Sequence, residues 1–227
     1  MIVELTGIPG AGKSTVIKGL IDSMDNTKYI FDVRKYILNQ YKIHIDRTYL
    51  YDFILLLNIL KLKKEDLHII RDSVKIVLNG NNKLFHKINI MRNIVKKFII
   101  YRYIQNKEKV FFIDEGITHI AFNIFVDIDN KIDEKEIKRF LKNLPKVDKL
   151  LVIDADDRIL LDRVIQRGRK GHRRINFDSD GDIELFMKQS RIVLNVIKKE
   201  LKASIYMNID REIKTKKIIK NIGMENV

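Results

Sequence analysis

The sequence contains no cysteine. Disulfides, thiol catalysis and cysteine-ligated zinc are therefore excluded. Two prolines and ten glycines in 227 residues are too few for a collagen-like, proline-rich or linker-dominated chain. No apolar run approaches the roughly 18 residues of a membrane span; the run from Phe53 to Leu60 is too short and contains Asn58. The opening Met1-Ile2-Val3-Glu4-Leu5 lacks the basic region and long apolar stretch of a signal peptide. A cytoplasmic protein without membrane insertion is the expectation. His44, His68, His86, His119 and His172 are scattered, and none makes a metal-ligand spacing. The Asn-Lys-x-Asp signature of a GTPase is missing, which lowers GTPase activity below ATP use.

What is present suits one globular domain, with 45% hydrophobic and 33% charged residues. Lys and Arg number 44 against 30 Asp and Glu, a formal charge of +14. Such a balance attracts polyanions. The lysines are spread along the whole chain, however, and a phosphate-rich small substrate explains local arginines equally well. Binding to nucleic acid is compatible with the charge but not favoured.

Apolar patterning predicts short strands at 2–6, 28–33, 109–114, 150–154 and 203–208. Helices are expected at 16–24, 117–126, 133–142, 157–167, 182–201 and 210–221. Residues 34–106 show no strand pattern and read as helices near 34–43, 48–61, 64–79 and 84–106. That block is too long for an ordinary connection and must be a structured helical subregion. Strands alternating with helices indicate an α/β fold with a parallel sheet. No linker divides the chain, so 1–227 reads as a single domain.

The strongest signal is Gly7-Ile8-Pro9-Gly10-Ala11-Gly12-Lys13-Ser14-Thr15, lying between a strand and an amphipathic helix. Its glycines allow a tight turn whose N–H groups, with the helix N-terminus, hold phosphate oxygens. Lys13 can reach the β and γ phosphates, and Ser14 can place its hydroxyl on Mg²⁺. Thr15 is next in line for the α phosphate. ATP and Mg²⁺ are the implied cofactors.

Carboxylates at strand ends supply the next candidates, because the carboxyl edge of a parallel sheet faces the ligand crevice. Asp114 ends one apolar strand and can organise Mg²⁺ beside Ser14. Glu115 can activate a hydroxyl or water, or orient the substrate. Asp32 can align an attacking hydroxyl, with helix capping as its alternative, and Arg34 can meet an anion in the same pocket. Asp154 reads as structural, capping the next helix with Asp156 and Asp157. Between Arg163 and Arg174 the chain concentrates positive charge around glycines. Arg167 is the first choice to neutralise a transferring phosphoryl group, followed by Arg163 and Arg169, then Arg173 and Arg174. Residues 168–181 read as a closing lid.

With these motifs the chain resembles the P-loop kinases of nucleosides and nucleotides, nearest to thymidylate and deoxynucleoside kinases. Gly7 to Thr15 matches the family's phosphate loop. Asp114-Glu115-Gly116 stands where the family carries its third-strand carboxylate motif, and Arg163, Arg167 and Arg169 resemble its lid arginines. The likeness covers residues 2–33 and 108–221. It implies a three-layer sandwich around a five-stranded parallel sheet ordered 2-3-1-4-5, a helical acceptor region and an arginine-rich lid. The sequence departs at Asp114-Glu115-Gly116, where thymidylate kinases have Asp-Arg-Tyr and deoxynucleoside kinases Glu-Arg-Ser. It also has Asp32-Val33 where the latter carry Glu-Pro. The resemblance implies Mg²⁺–ATP-dependent phosphoryl transfer, most often to a nucleotide or nucleoside. A sugar or other metabolite, a polynucleotide 5′-hydroxyl, or water remain as alternatives. Relatives that pair through helices make a homodimer compatible with the chain.

Overall fold

The computed structural model describes residues 1–25, 28–43, 48–79, 84–126, 132–168, 180–207 and 218–220. Five strands form one sheet: β1 (Ile2–Thr6), β2 (Tyr29–Ile30), β3 (Val110–Asp114), β4 (Lys149–Asp154) and β5 (Ser204–Met207). Their order is β2-β3-β1-β4-β5, and every pairing is parallel. This is the order that the kinase resemblance implies. β1 lies between two neighbours and is buried along its whole length, so it carries the near-continuous apolar run of an interior parallel strand. Val3, Leu5, Phe111, Leu151, Val152 and Ile153 are fully buried and form the centre of the core. Glu4 breaks the run.

Helix α1 (Lys13–Ser23) follows β1, burying Val16 and Leu20 one turn apart. Between β2 and β3 lie α2 (Val33–Gln40), α3 (Thr48–Leu57), α4 (Lys64–Asn79) and α5 (Leu84–Ile104), so the expected helical block is present. Asp66 staples it. Its carboxylate takes the Lys63 N–H at 2.8 Å at the head of α4, and both oxygens accept from Arg102 on α5 at 2.7 Å. After β3 come α6 (Ile120–Phe125) and α7 (Glu134–Asn143); α8 (Asp157–Gly168) and α9 (Asp180–Glu200) separate β4 from β5. On α7, Ile137, Phe140 and Leu141 recur at helical spacing and are buried, and Asp133 caps the helix by accepting from Lys135 N.

Three expectations are corrected. The second strand is only Tyr29–Ile30, because Asp32 accepts the Lys35 N–H at 2.8 Å and starts α2 at residue 33. Phe31 leaves the ladder and stacks on Phe112 at 4.7 Å. The helix expected over 48–61 stops at Leu57, where Asn58 turns inward to the Ile54 carbonyl and Tyr41 hydroxyl, and a 3₁₀ turn covers Ile59–Lys61. The helix expected from 117 begins at Ile120, and the amides of 117 and 118 in the turn before it are bound by Glu4. Of the terminal helix expected at 210–221, only 218–220 is described, and it is helical. No described helix is long and apolar enough to cross a membrane.

Asp154 at the end of β4 is structural, as expected, but the bond at the head of the next helix is made by Asp156, which accepts the Arg158 N–H at 3.0 Å, and the partners of Asp154 lie elsewhere. Asp154 is 2% exposed. It accepts from Ala155 N at 2.8 Å, from Arg191 at 2.7 and 2.8 Å and from Lys198 at 2.5 Å, tying α9 to the sheet. Burial works to raise its pKa, but the Lys198 and Arg191 bonds outweigh it and hold the carboxyl below its usual range. A lowered folded pKa stabilises above the unfolded value near 3.8 and is lost as pH falls through the folded one. Replacing Asp154 with Ala should cost about 3 kcal/mol in urea unfolding at neutral pH, because two cations lose their buried partner. Asp154→Asn should flatten the loss of stability below about pH 4.

Candidate functional site

The loop expected to bind phosphate leaves the centre of the sheet. Gly7 is indispensable there, since a Cβ at this position would lie 2.1 Å from the Ile153 carbonyl oxygen. Gly10 and Gly12 then take left-handed conformations, φ 88° and 89°, and Ala11 N–H closes the turn on the Ile8 carbonyl at 3.2 Å. Arg163 on α8 donates to the Gly10 carbonyl at 3.0 Å, which places this sequence-chosen arginine directly on the loop. Gly12 heads α1 without a side-chain cap, and no acidic residue occupies the first turn. The N-terminal amides of α1 are thus presented without the usual Ser or Asp acceptor, an arrangement suited to phosphate oxygens. Ser14 and Thr15 are exposed on the first turn.

Lys13 is 7% exposed. Its amine donates to the Gly7 carbonyl at 2.9 Å and the Ile8 carbonyl at 3.4 Å, and lies 3.3 Å from Glu115 Oε1. Glu115 comes from the neighbouring strand end. Its N–H continues the β1–β3 ladder to the Leu5 carbonyl at 3.0 Å. Its backbone then turns left-handed, φ 52°, and its second oxygen lies 3.6 Å from His119 Nε2. Burial works to raise the Glu115 pKa; His119, Lys13 and Lys97 outweigh it and lower it. Asp114, exposed at the rim beside Leu5, is shifted the other way. Partial desolvation raises its pKa first and the charge of Glu115 adds to this, against Lys13 and Lys97. The two adjacent carboxylates are therefore driven apart, one strongly ionised and one readier to hold a proton or a cation.

Ser14 and Asp114 fit the sparse protein ligation of a phosphate-bound Mg²⁺, which takes one or two protein oxygens and completes its shell from phosphate and water. No group of three His, Asp or Glu able to hold a metal by itself occurs among the described residues.

On the facing helices, Asp32 is the cap of α2. Arg34 lies over the ring of buried Tyr51 at 5.3 Å. Burial pushes the Tyr51 hydroxyl pKa up, opposed by Arg34 and reinforced by Asp52 and Asp32. Lys96 pairs with Asp52 at 2.5 Å. Asp32, Arg34, Tyr51, Asp52 and Lys96 thus form one polar group. The side chain of Arg167 lies outside the described residues. So do residues 169–179, which carry Arg169, His172, Arg173, Arg174 and most of the expected lid.

Sequence reasoning missed Glu4 and Lys97. Glu4 Oε2 accepts from Ile117 N at 3.1 Å, and Oε1 accepts from Thr118 N at 2.8 Å and from the Thr118 hydroxyl. Lys97 donates to the Glu115 carbonyl and, at 3.0 Å, to that of Gly116. A glutamate inside an otherwise apolar strand was the available signal.

No family model matches the sequence, and no curated protein does. Among solved structures the chain is similar to deoxyadenosine kinase from M. mycoides with products dCMP and a flexible dCDP bound. That likeness has 14% identity and a TM-score of 0.43 over 98% of this chain and 96% of that one. A second structure of deoxyadenosine kinase from M. mycoides, with bound dATP, gives 12% identity and a TM-score of 0.45 over 98% and 97%.

Replacing Gly7 with Ala should abolish binding of a fluorescent ATP analogue, because the new methyl meets a backbone carbonyl that cannot rotate away. The same change at Gly19, on the half-buried side of α1, should leave binding within about threefold and, by helix propensity, cost no stability.

Proposed function

We propose that the protein transfers the γ-phosphoryl group of Mg²⁺–ATP to a small-molecule acceptor, with a nucleotide or nucleoside as the leading class. The observation that carries this is the convergence of Lys13 and Glu115 at 3.3 Å where the loop leaves the central strand. The loop and the α1 amides bind the donor phosphates. Lys13 exchanges its carbonyl partners for phosphate oxygens and neutralises charge there. Held by Ser14 and Asp114, Mg²⁺ would neutralise and align the phosphates. Arg163 steadies the loop from below, and Arg167 with Arg169 is the proposed clamp on the moving group. Glu115, kept ionised, orients the acceptor hydroxyl and receives its proton as the new O–P bond forms and ADP departs. Asp32 is the less suited base, because the α2 cap already uses one of its oxygens. Arg34 and its neighbours line the proposed acceptor side.

A mass-spectrometric screen with Mg²⁺–ATP tests the reading. Its acceptors are nucleosides, nucleoside monophosphates, sugars, sugar phosphates and 5′-hydroxyl oligonucleotides, with free phosphate read in parallel. One product gaining a single phosphate is expected. Phosphate release alone would make the protein an ATPase, and efficient oligonucleotide labelling would make it a polynucleotide kinase. Lys13→Ala should lower kcat by about 100-fold or more while the unfolding midpoint stays near that of the wild type.

Self-pairing through α3 completes the proposal. Tyr49, Phe53, Leu56 and Leu57 recur at helical spacing, each more than half exposed, and Leu60 continues just beyond at 92%. Chains of charge +14 repel one another, so a self-contact must be made of uncharged surface, and this stripe is. Sedimentation should give a dimer for the wild type and a monomer for the double variant Phe53→Glu, Leu56→Glu.

A further inference from the structure

The turn that delivers Glu115 is gripped from inside the sheet. Glu4 lies in the middle of β1 at 1% exposure, between the fully buried Val3 and Leu5. A carboxylate there costs stability unless its oxygens are filled. They are filled by the Ile117 and Thr118 amides and the Thr118 hydroxyl. These bonds reach across 113 and 114 residues of sequence and serve no strand pairing. The space around the carboxylate is equally specific. A Cβ on Gly116 would lie 2.6 Å from Glu4 Cδ and 2.8 Å from Oε2. Lys97 on α5, within electrostatic reach of Glu4, takes the carbonyls of 115 and 116. Residues 115–118 are thus held by their amides from β1 and by their carbonyls from α5. Between the two grips sits Glu115 in a left-handed conformation, φ 52°, that a side chain with a Cβ seldom adopts. That conformation aims its carboxylate at Lys13 and His119.

We propose that Glu4, acting with Gly116 and Thr118, is a positioning residue for phosphoryl transfer. It fixes the turn that sets the Glu115 carboxylate against Lys13 and never touches substrate itself. The inference rests on the proposed kinase reading for its catalytic consequence, but the positioning can be measured without turnover. A carboxylate held in place only to stabilise the sheet would leave Glu115 untouched when removed.

The experiment compares the wild type with Glu4→Gln, Thr118→Val and Thr118→Ser in the full chain. NMR cross-relaxation between the Lys13 and Glu115 side chains follows their contact, assigned by its loss in Glu115→Gln. In Glu4→Gln and Thr118→Val that cross-peak should be lost, as the turn drifts from the loop. Thr118→Ser should restore it. With the acceptor found by the screen, kcat should fall by about 10- to 100-fold, the range expected for a misplacement near 1 Å. KM for ATP should stay within about threefold. An unchanged Lys13–Glu115 cross-peak in variants that are measurably less stable would overturn the proposal. So would an unchanged kcat. If the wild type transfers phosphate to nothing, the kinase reading fails, and the cross-peak still decides whether Glu4 positions Glu115. Gly116→Ala offers an independent check. Its destabilisation should be smaller in a Glu4→Ala background than alone, and equal effects in both would show that the two residues do not share the space.

Discussion

A close approach of backbone to backbone governs this molecule. At residue 7 the chain leaves the central strand so near the Ile153 carbonyl that a side chain has no room. That approach lets the loop curl over the sheet, with α8 beneath it through Arg163 and Gly10. It also brings Lys13 back over the strand end it came from. The position of β1 between β3 and β4 then does the rest. The carboxyl ends of both neighbours flank the loop, so Asp114 and Glu115 arrive on one side and Asp154 on the other. Chemistry at this edge follows from strand order, since residues over 100 positions apart in sequence become neighbours only through the parallel pairing.

The two flanking carboxylate sites have been put to different uses. At the end of β4, Asp154 is surrounded by Ala155 N, Arg191 and Lys198, and no acceptor capacity is left over for a ligand. At the end of β3, Asp114 stays exposed and Glu115 meets a lysine that a phosphate can claim. The contrast gives equal-looking strand ends, Phe-Ile-Asp and Val-Ile-Asp, unequal surroundings: one carboxylate has its oxygens filled by the protein and the other keeps them open.

Much of this was legible in the sequence. The loop from Gly7 to Thr15 stands out because its turns need left-handed backbone and a close approach at Gly7 that only glycine permits. The strands β1, β3 and β4 read clearly because interior parallel strands are apolar throughout. The helices between 33 and 104 were legible as helices, since no strand pattern interrupts that block. What sequence could not give was anything decided by a tertiary partner. Asp32 looked like a strand end because Tyr-Ile-Phe precedes it, yet a local hydrogen bond to Lys35 N outweighs strand propensity there. Residues 117–119 looked helical, but they form the turn before α6, where the amides of 117 and 118 are bound by Glu4, a residue far away in sequence. Lys97 resembled any other lysine of a basic chain until the fold set it beneath residues 115 and 116.

The partners of Lys13 set how the site would respond to the proposed donor. Lys13 divides its charge among two loop carbonyls and Glu115. A triphosphate offers several charged oxygens in place of two neutral carbonyls and one carboxylate, and charge-assisted bonds are the stronger kind. On the proposed reading, phosphate therefore wins the amine. Glu115 keeps its place beside His119 Nε2 at 3.6 Å only if the turn that bears it stays fixed when the lysine changes partners. The double grip of Glu4 and Lys97 on residues 115–118 supplies that rigidity.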